Sequence, residues 1–200
     1  MLLYDSAISG NCYKVRLLLA QLGIPYERRE VDVVDRSNRP ELLGGLNPSL
    51  RVPTIVLDDG RAIGESGAIL WYFGEGTQFV PADRWERAQM LQWMFFEQYE
   101  LEINIAVVRF WLHVLGGVPD GRERQYEAKL GAGYKTLAAM ERHLLGREWF
   151  VGDSPTLADI ALYGYTHVAH EGGFEMDRYP RIRAWLDRVA AMPGHVPIDA

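Results

Sequence analysis

The chain has 200 residues, 48% of them hydrophobic and 24% charged, with a formal net charge of −6. That is ordinary globular composition with room for one or two domains, and an acidic balance argues against a general nucleic-acid-binding surface, which wants a basic face. One cysteine excludes an internal disulfide framework and any Cys-based zinc cage. No apolar run is long enough to span a membrane, and the opening MLLYDSAISGNC lacks a basic region followed by an apolar stretch, so no signal peptide is read. The expectation is a cytoplasmic protein that contacts neither membrane nor nucleic acid.

Leu2-Leu3-Tyr4, ended by Asp5-Ser6, predicts a short strand. From about Asn11 to Leu22 the apolar residues Val15, Leu18, Leu19 and Leu22 fall at helical spacing, and Gly23 stops the helix. Tyr26 to Val33 alternates like a strand, and Ser37 to Leu46 reads as a short irregular helix. Thr54-Ile55-Val56-Leu57 is a buried strand. Asp58-Asp59-Gly60 turns the chain, and Arg61-Ala62-Ile63 returns. Glu65-Ser66-Gly67 opens a helix to about Phe73. The order is βαβαββα. Its first part allows a parallel βαβ unit and the Asp-Gly turn forces an antiparallel pair, so an α/β domain with a mixed sheet is predicted.

Gly74-Glu75-Gly76-Thr77 and Pro81-Ala82-Asp83 bracket a linker. Beyond it the periodicity is helical: a long aromatic-rich helix from Arg84 to about Leu115, then helices near 121–146, 156–170 and 179–191. The predicted organisation is an α/β domain over 1–75, a linker over 76–83 and an all-helical domain over 84–200.

Three short stretches carry chemistry. In Arg51-Val52-Pro53-Thr54 a proline precedes an apolar strand. A cis Val52-Pro53 bond would turn Val52's main-chain groups outward, where an extended peptide can pair with them as an added strand. A trans bond at a plain strand start is the general expectation. In Glu65-Ser66 a hydroxyl and main-chain N–H groups sit at a helix N-terminus, a place suited to a carboxylate, with Glu65 beside it to hold an ammonium. Simple helix capping is the other reading. In Ser9-Gly10-Asn11-Cys12-Tyr13-Lys14, donors converge on another helix start, where they either cap it or stabilise a thiolate. One hydrogen bond to a charged group contributes about 1.5–3 kcal/mol, enough to lower a thiol's pKa by roughly 1–2.

Tyr4, Ser9 to Lys14, Asn47-Pro48, Val52-Pro53 and Glu65-Ser66-Gly67-Ala68-Ile69 occur in an order and spacing that resembles the glutathione S-transferase superfamily. Phe150-Val151-Gly152-Asp153-Ser154-Pro155-Thr156-Leu157-Ala158-Asp159-Ile160 extends the resemblance through the second half. It implies a thioredoxin-like domain followed by a helical bundle, a cis Val52-Pro53 bond, and a cytoplasmic detoxifying homodimer that uses glutathione as co-substrate and no metal. Glutathione's cysteinyl backbone would pair with Val52. Its γ-glutamyl carboxylate would meet Ser66 and its ammonium Glu65, with Arg51 and, more weakly, Arg39 near the glycyl carboxylate.

The resemblance points to Ser9 as thiol activator with Asn11 as second donor, and leaves Tyr4 as the alternative. Cys12 is read as a structural helix residue, because the beta-class cysteine falls nearer Gly10. The zeta class carries Ser-Ser-Cys where this chain has Ser9-Gly10-Asn11. The electrophile pocket would draw on Tyr99, Glu102, Ile103, Ala106, Phe110 and His113; the first five share one face of an ideal helix, and packing in the core is the other reading of that face. Arg109 either bridges within the bundle or attracts an anionic acceptor. Thr156 and Asp159 are expected to cap a helix rather than catalyse. His167 and His170 lack a clear third metal ligand. The reaction implied is attack of the glutathione thiolate on a small hydrophobic electrophile. Disulfide reduction, peroxide reduction, or binding without turnover are the alternatives.

Overall fold

The computed structural model describes all 200 residues and resolves the chain into two compact units, Met1–Thr77 with Met192–Ala200, and Gln78–Ala191. The first contains β1 (Leu2–Asp5), α1 (Gly10–Gln21), β2 (Glu27–Glu30), α2 (Arg39–Leu43), β3 (Thr54–Val56), β4 (Ala62–Gly64) and α3 (Ser66–Gly74). The strand order is β2-β1-β3-β4. β1 runs parallel to β2 and antiparallel to β3, with Tyr4 opposite Thr54, and β3 runs antiparallel to β4, with Thr54 opposite Gly64. This is the mixed sheet of a thioredoxin-like domain.

Strand alternation divides the core between the two faces of the sheet. Leu3 and Ile55 join Val15, Leu19 and Ile69 on one side. Tyr4 joins Val31 and Leu43 on the other. β2 is shorter than the sequence predicts, and all four of its residues, Glu-Arg-Arg-Glu, are exposed. Charges along an edge strand discourage pairing with another chain. Helix α1 is buried from Cys12 through Leu19, including the charged Lys14 and Arg16, so it needs internal partners for both.

The last nine residues depart from the predicted division. Met192–Ala200 belong with the α/β unit rather than with the helical one. The reason is polar anchoring on α1. The Tyr13 hydroxyl donates to the Val196 carbonyl at 2.7 Å, and Arg16 donates to the carbonyl of Ile198.

The second unit begins with α4 (Arg84–Phe96). The predicted single helix to Leu115 is continuous in path but changes its winding. It is π-helical over Glu97–Ala106, α-helical as α5 (Val107–Arg109), and π-helical again over Phe110–Val114. Side chains take up the main-chain acceptors of the wider stretch. Asn104 donates to the Glu100 carbonyl at 2.7 Å, and Lys129 donates to the Ile103 carbonyl at 2.5 Å. α6 (Glu123–His143), α7 (Leu157–Thr166) and α8 (Pro180–Ala190) complete the unit.

All ten residues of α7 are buried, with α4, the π-helical stretch and α8 packed around it. Its N-terminus is fixed by Thr156 and Asp159 in a capping box. Asp159 also accepts from the Phe150 main chain at 3.1 Å and from Trp185 Nε1 at 2.9 Å. It therefore ties the 150s loop and α8 to α7, beyond the capping expected from sequence. Burial pushes its pKa up, against the pull of these hydrogen bonds. Trp93, His143, Phe150, Tyr163 and Trp185 form a linked aromatic cluster around this point. Glu141 of α6 caps α8 by accepting from the main chain of Arg181 and Ile182 at 3.1 and 3.0 Å, which also suits the helix dipole.

Asp159→Asn places an NH₂ group where only donors point, so at least one ionic hydrogen bond is lost and a donor is left facing donors. Chemical denaturation should show a loss of about 2–4 kcal/mol. His143 Nε2 donates to the Phe150 carbonyl at 2.8 Å, and burial lowers its pKa below the ordinary value. Protonation therefore favours the unfolded chain, and the contribution present above about pH 6.5 is lost as pH falls through the folded-state value. Melting temperatures across this window should drop for the parent chain and flatten for His143→Gln.

Candidate functional site

The sheet register brings the three predicted stretches to one end of the α/β unit. β1 leads through Asp5 into the Ser6–Ser9 loop. Val52-Pro53 lies just before Thr54, which faces Tyr4 on one side and Gly64 on the other. Glu65-Ser66 follows Gly64 directly. The Val52-Pro53 peptide bond is cis. Val52 lies outside the strand ladder, whose pairing stops at Thr54.

Asn47 holds the loop that presents Val52. Its Nδ2 donates to Thr54 Oγ1 at 2.9 Å and to the Arg51 carbonyl at 3.2 Å, while Thr54 Oγ1 donates to that carbonyl at 2.8 Å. Asn47 also packs against Gly64. A Cβ there would lie 2.6 Å from Asn47 Nδ2, so the close approach of β4 needs glycine. Asn47 was legible only as part of a motif, and its role comes from this contact set.

Glu65 is exposed and has φ +66°, a costly conformation for a residue with a side chain. Ser66 follows as the first residue of α3 and is buried, and the first helical bond runs from Ile69 N–H to the Glu65 carbonyl. The three main-chain N–H groups before Ile69 thus have no partner within the helix, which makes this end receptive to an anion. Ser66 Oγ lies 3.3 Å from Asn11 Oδ1 and links α3 to the start of α1.

Ser9 caps α1: its Oγ accepts from Cys12 N–H at 3.3 Å. Capping and thiolate binding are not exclusive, because a serine oxygen that accepts a bond still carries a proton to donate. Asn11 Oδ1 accepts from Lys14 Nζ at 2.7 Å, and the cation polarises the amide so that its N–H donors are strengthened. Tyr4 has a different place. Its ring is buried between Val31 and Leu43, with the Arg29 guanidinium 5.7 Å from its centroid.

The Cys12 thiol is completely buried. Burial pushes its pKa far up, the Asp5 carboxylate adds to that, and the Ser9 bond and Arg16 oppose it. It has no thiolate at neutral pH.

Beneath this loop lies an ion pair absent from the sequence reading. Asp5 has no solvent exposure and accepts from Arg16 Nη1 at 2.7 and 2.9 Å, with Arg28 Nε at 2.7 Å. The spacing of Asp5 and Arg16, eleven residues across a strand and a helix, carries no local signal.

The predicted arginines differ. Arg51 is exposed, whereas Arg39 is buried and donates to the carbonyls of Leu50 at 3.3 Å and Asp32 at 3.5 Å. Burial, then the like charges of Arg36 and Arg51, lower Arg39's pKa. Three guanidiniums thus crowd one another, a field that an anion relieves. Arg36 is the member that sequence reading missed.

On the helical unit Tyr99, Glu102, Ile103, Ala106 and Phe110 do not share one face. Tyr99, Ile103 and His113 are exposed, Glu102 and Phe110 are half-buried, and Ala106 is buried. The π winding advances each residue less than an α-helix does, so positions seven apart, such as Tyr99 and Ala106, rotate away from each other. Arg109 is engaged by Glu171 at 2.6 Å, with His113 Nε2 3.5 Å from the same oxygen. His167 stacks on Tyr163 and bonds its carbonyl at 2.7 Å.

Residues 8–75 match the family model for the glutathione S-transferase N-terminal domain, and residues 90–193 the model for the C-terminal domain. A maleylacetoacetate isomerase of Pseudomonas aeruginosa is 30% identical, covering 97% of this chain and 93% of its own. The disulfide-bond oxidoreductase YfcG of Escherichia coli is 28% identical, covering 94% and 89%. Among solved structures, a glutathione S-transferase from Pseudomonas fluorescens is 45% identical, with TM-score 0.94 over 98% of both chains. Another glutathione transferase family member from Pseudomonas fluorescens, solved with two glutathione molecules bound, is 26% identical, with TM-score 0.81 over 96% of this chain and 89% of that one.

The environment of Cys12 sets an expectation. In the native protein a maleimide should react with this single thiol orders of magnitude more slowly than in denaturant, as a time-resolved thiol assay will record. Rapid native labelling would refute the structural role.

Proposed function

The chain belongs to the glutathione S-transferase superfamily and is a glutathione transferase, and we propose that it ionises glutathione through Ser9 and Asn11 for attack on a small electrophile. The single observation that supports this most is the convergence of Ser9, Val52 and Ser66 at one end of the sheet, with Ser66 within 3.3 Å of Asn11.

In this reading glutathione lies extended along Val52. Its cysteinyl main chain takes the place of an added strand on the loop held by Asn47, and the cis Val52-Pro53 bond sets the direction of that loop. The γ-glutamyl carboxylate meets the Ser66 hydroxyl and the free N–H groups opening α3, and Glu65 takes the ammonium. The glycyl carboxylate lies towards Arg51, with Arg36 and Arg39 adding positive field. The sulfur then reaches the start of α1, where the Ser9 hydroxyl and the Asn11 amide donate to the developing thiolate.

Catalysis follows from ground-state ionisation. Each donor favours the charged sulfur over the neutral one, so the thiolate fraction at neutral pH rises. The thiolate attacks the acceptor's electrophilic atom, the new bond to sulfur forms, and the leaving group departs with its electron pair. Tyr99, Glu102, Ile103, Phe110 and His113 of the helical unit are kept as the candidates for recognising the acceptor. Arg109 is committed to Glu171 and is not assigned to an anionic acceptor. A homodimer is part of the same proposal. No helix is long and apolar enough to cross a membrane.

A second reading, glutathione-dependent disulfide reduction, draws support from the relative named as a disulfide-bond oxidoreductase. The site chemistry is the same up to the acceptor: the thiolate attacks a disulfide sulfur, a mixed disulfide forms, and the other sulfur leaves as thiolate. Parallel turnover assays with an aryl halide, a hydroperoxide and a mixed disulfide separate the readings. Binding with no turnover on any of them favours a non-catalytic role.

Calorimetric titration should show saturable glutathione binding, weakened roughly 10- to 100-fold by Ser66→Ala. Ser9→Ala should leave the dissociation constant nearly unchanged. Its kcat/KM should fall by roughly 10- to 100-fold at neutral pH and recover as pH rises. Absence of binding at millimolar glutathione would remove the assignment.

A further inference from the structure

We propose that Met192–Ala200 is a strap that positions the Ser6–Ser9 loop, with Arg16 as the positioning residue between strap and loop. The inference rests on the reading above, in which Ser9 faces the sulfur. It adds that the acidity of this sulfur is set partly from the far end of the chain.

The argument starts from the hydrogens of one guanidinium. Arg16 is almost completely buried in α1. Its Nη1 donates to both Asp5 oxygens and lies 3.2 Å from the Ser6 carbonyl. Its Nη2 donates to the Ala7 carbonyl at 3.2 Å and to the carbonyl of Ile198. Nη2 has two hydrogens, so one holds the loop and the other holds the tail. The guanidinium is planar and rigid, and fixing one of these hydrogens fixes the direction of the other. The Ser6 carbonyl also accepts from Ser9 N–H at 3.0 Å. Ser9 is therefore linked to the tail through Ser6 and Arg16.

The second arginine on Asp5 repeats the pattern. Arg28 Nε lies 2.7 Å from Asp5 Oδ2, and its Nη1 donates to the main-chain oxygen of Ala200. Both cations that hold the end of β1 thus also hold the tail. The tail has its own seat on α1. Tyr13 donates to the Val196 carbonyl at 2.7 Å, and its hydroxyl lies 3.2 Å from His195 Nε2. Gly194 has φ +74°, and a Cβ there would come within 2.9 Å of the Ala20 carbonyl oxygen and of Gln21 Cα. This seat admits only glycine. A tail that merely covered α1 would need neither the bond to Arg16 nor the bond to Arg28.

The test uses the full chain with three substitutions. Gly194→Ala and Tyr13→Phe unseat the tail without touching the loop, and Arg16→Lys keeps a charge for Asp5 but loses the fork. Two quantities are measured: amide exchange in the ligand-free protein, and the ultraviolet absorbance of the glutathione thiolate against pH in the complex. With the tail released, seen as faster exchange at His195, the Ser9 amide should also exchange faster. The thiolate fraction at neutral pH should fall roughly three- to tenfold, while glutathione affinity, set at Ser66, holds. Arg16→Lys should show the same change with the tail still seated at Tyr13.

A released tail with unchanged Ser9 exchange and an unchanged titration would overturn the strap. If Arg16→Lys does not fold, the two tail variants decide. If the parent protein binds glutathione without ionising it, or does not bind it, the functional reading fails separately, and Ser9 exchange in the tail variants still decides whether the strap holds the loop.

Discussion

Asp5 is a carboxylate without solvent, at the point where the first strand ends and the loop to α1 begins. Taking such a charge out of water is tolerable only if cations and hydrogen bonds replace the water, and removing one partner of such a pair typically costs about 3–5 kcal/mol. Arg16 and Arg28 supply those partners. Because Arg16 comes from α1 and Arg28 from β2, one carboxylate fixes three elements of the parallel βαβ unit to one another. The Ser6–Ser9 loop inherits its position from that arrangement, since the same guanidinium donates to its carbonyls.

The same end of the sheet concentrates main-chain donors. Two helices, α1 and α3, begin there, α1 capped by Ser9 and α3 opening on Ser66. Their early N–H groups and the arginine cluster of residues 36, 39 and 51 favour anions, although the chain as a whole carries a charge of −6. A ligand with two carboxylates and an ionisable thiol fits that local field. The global charge says nothing about it, because the field within a few ångströms of a site is set by the nearest oriented groups.

The helical unit solves its internal polarity by a related device. Asp159 gathers donors from the 150s loop, the α7 cap and Trp185, and Glu141 does the same for the start of α8. Each buried carboxylate is surrounded by fixed donors and each closes a junction between helices. The π-helical stretch follows a similar rule: its unusual winding coincides with side-chain donors from Asn104 and Lys129 that satisfy its carbonyls.

Local pattern determined a good deal. The apolar runs Leu2-Leu3-Tyr4 and Thr54–Leu57, the Asp58-Asp59-Gly60 turn, the helical spacing of Val15, Leu18, Leu19 and Leu22, and the Glu65-Ser66-Gly67 helix start are short-range signals, so element types, the mixed sheet and the Thr156–Asp159 cap were legible. The motif order also identified the family. Tertiary structure decided what depends on distant residues meeting. It placed Tyr4's ring in the core and seated Arg39 on main-chain carbonyls. It turned Ala106 away from Tyr99 by changing the helical winding, and it carried Met192–Ala200 back to α1. A hydrogen bond such as Arg16 to Ile198 joins residues 182 positions apart. Periodicity and propensity act over a few residues and carry no trace of such a pairing, because it is set by where the folded chain brings its ends.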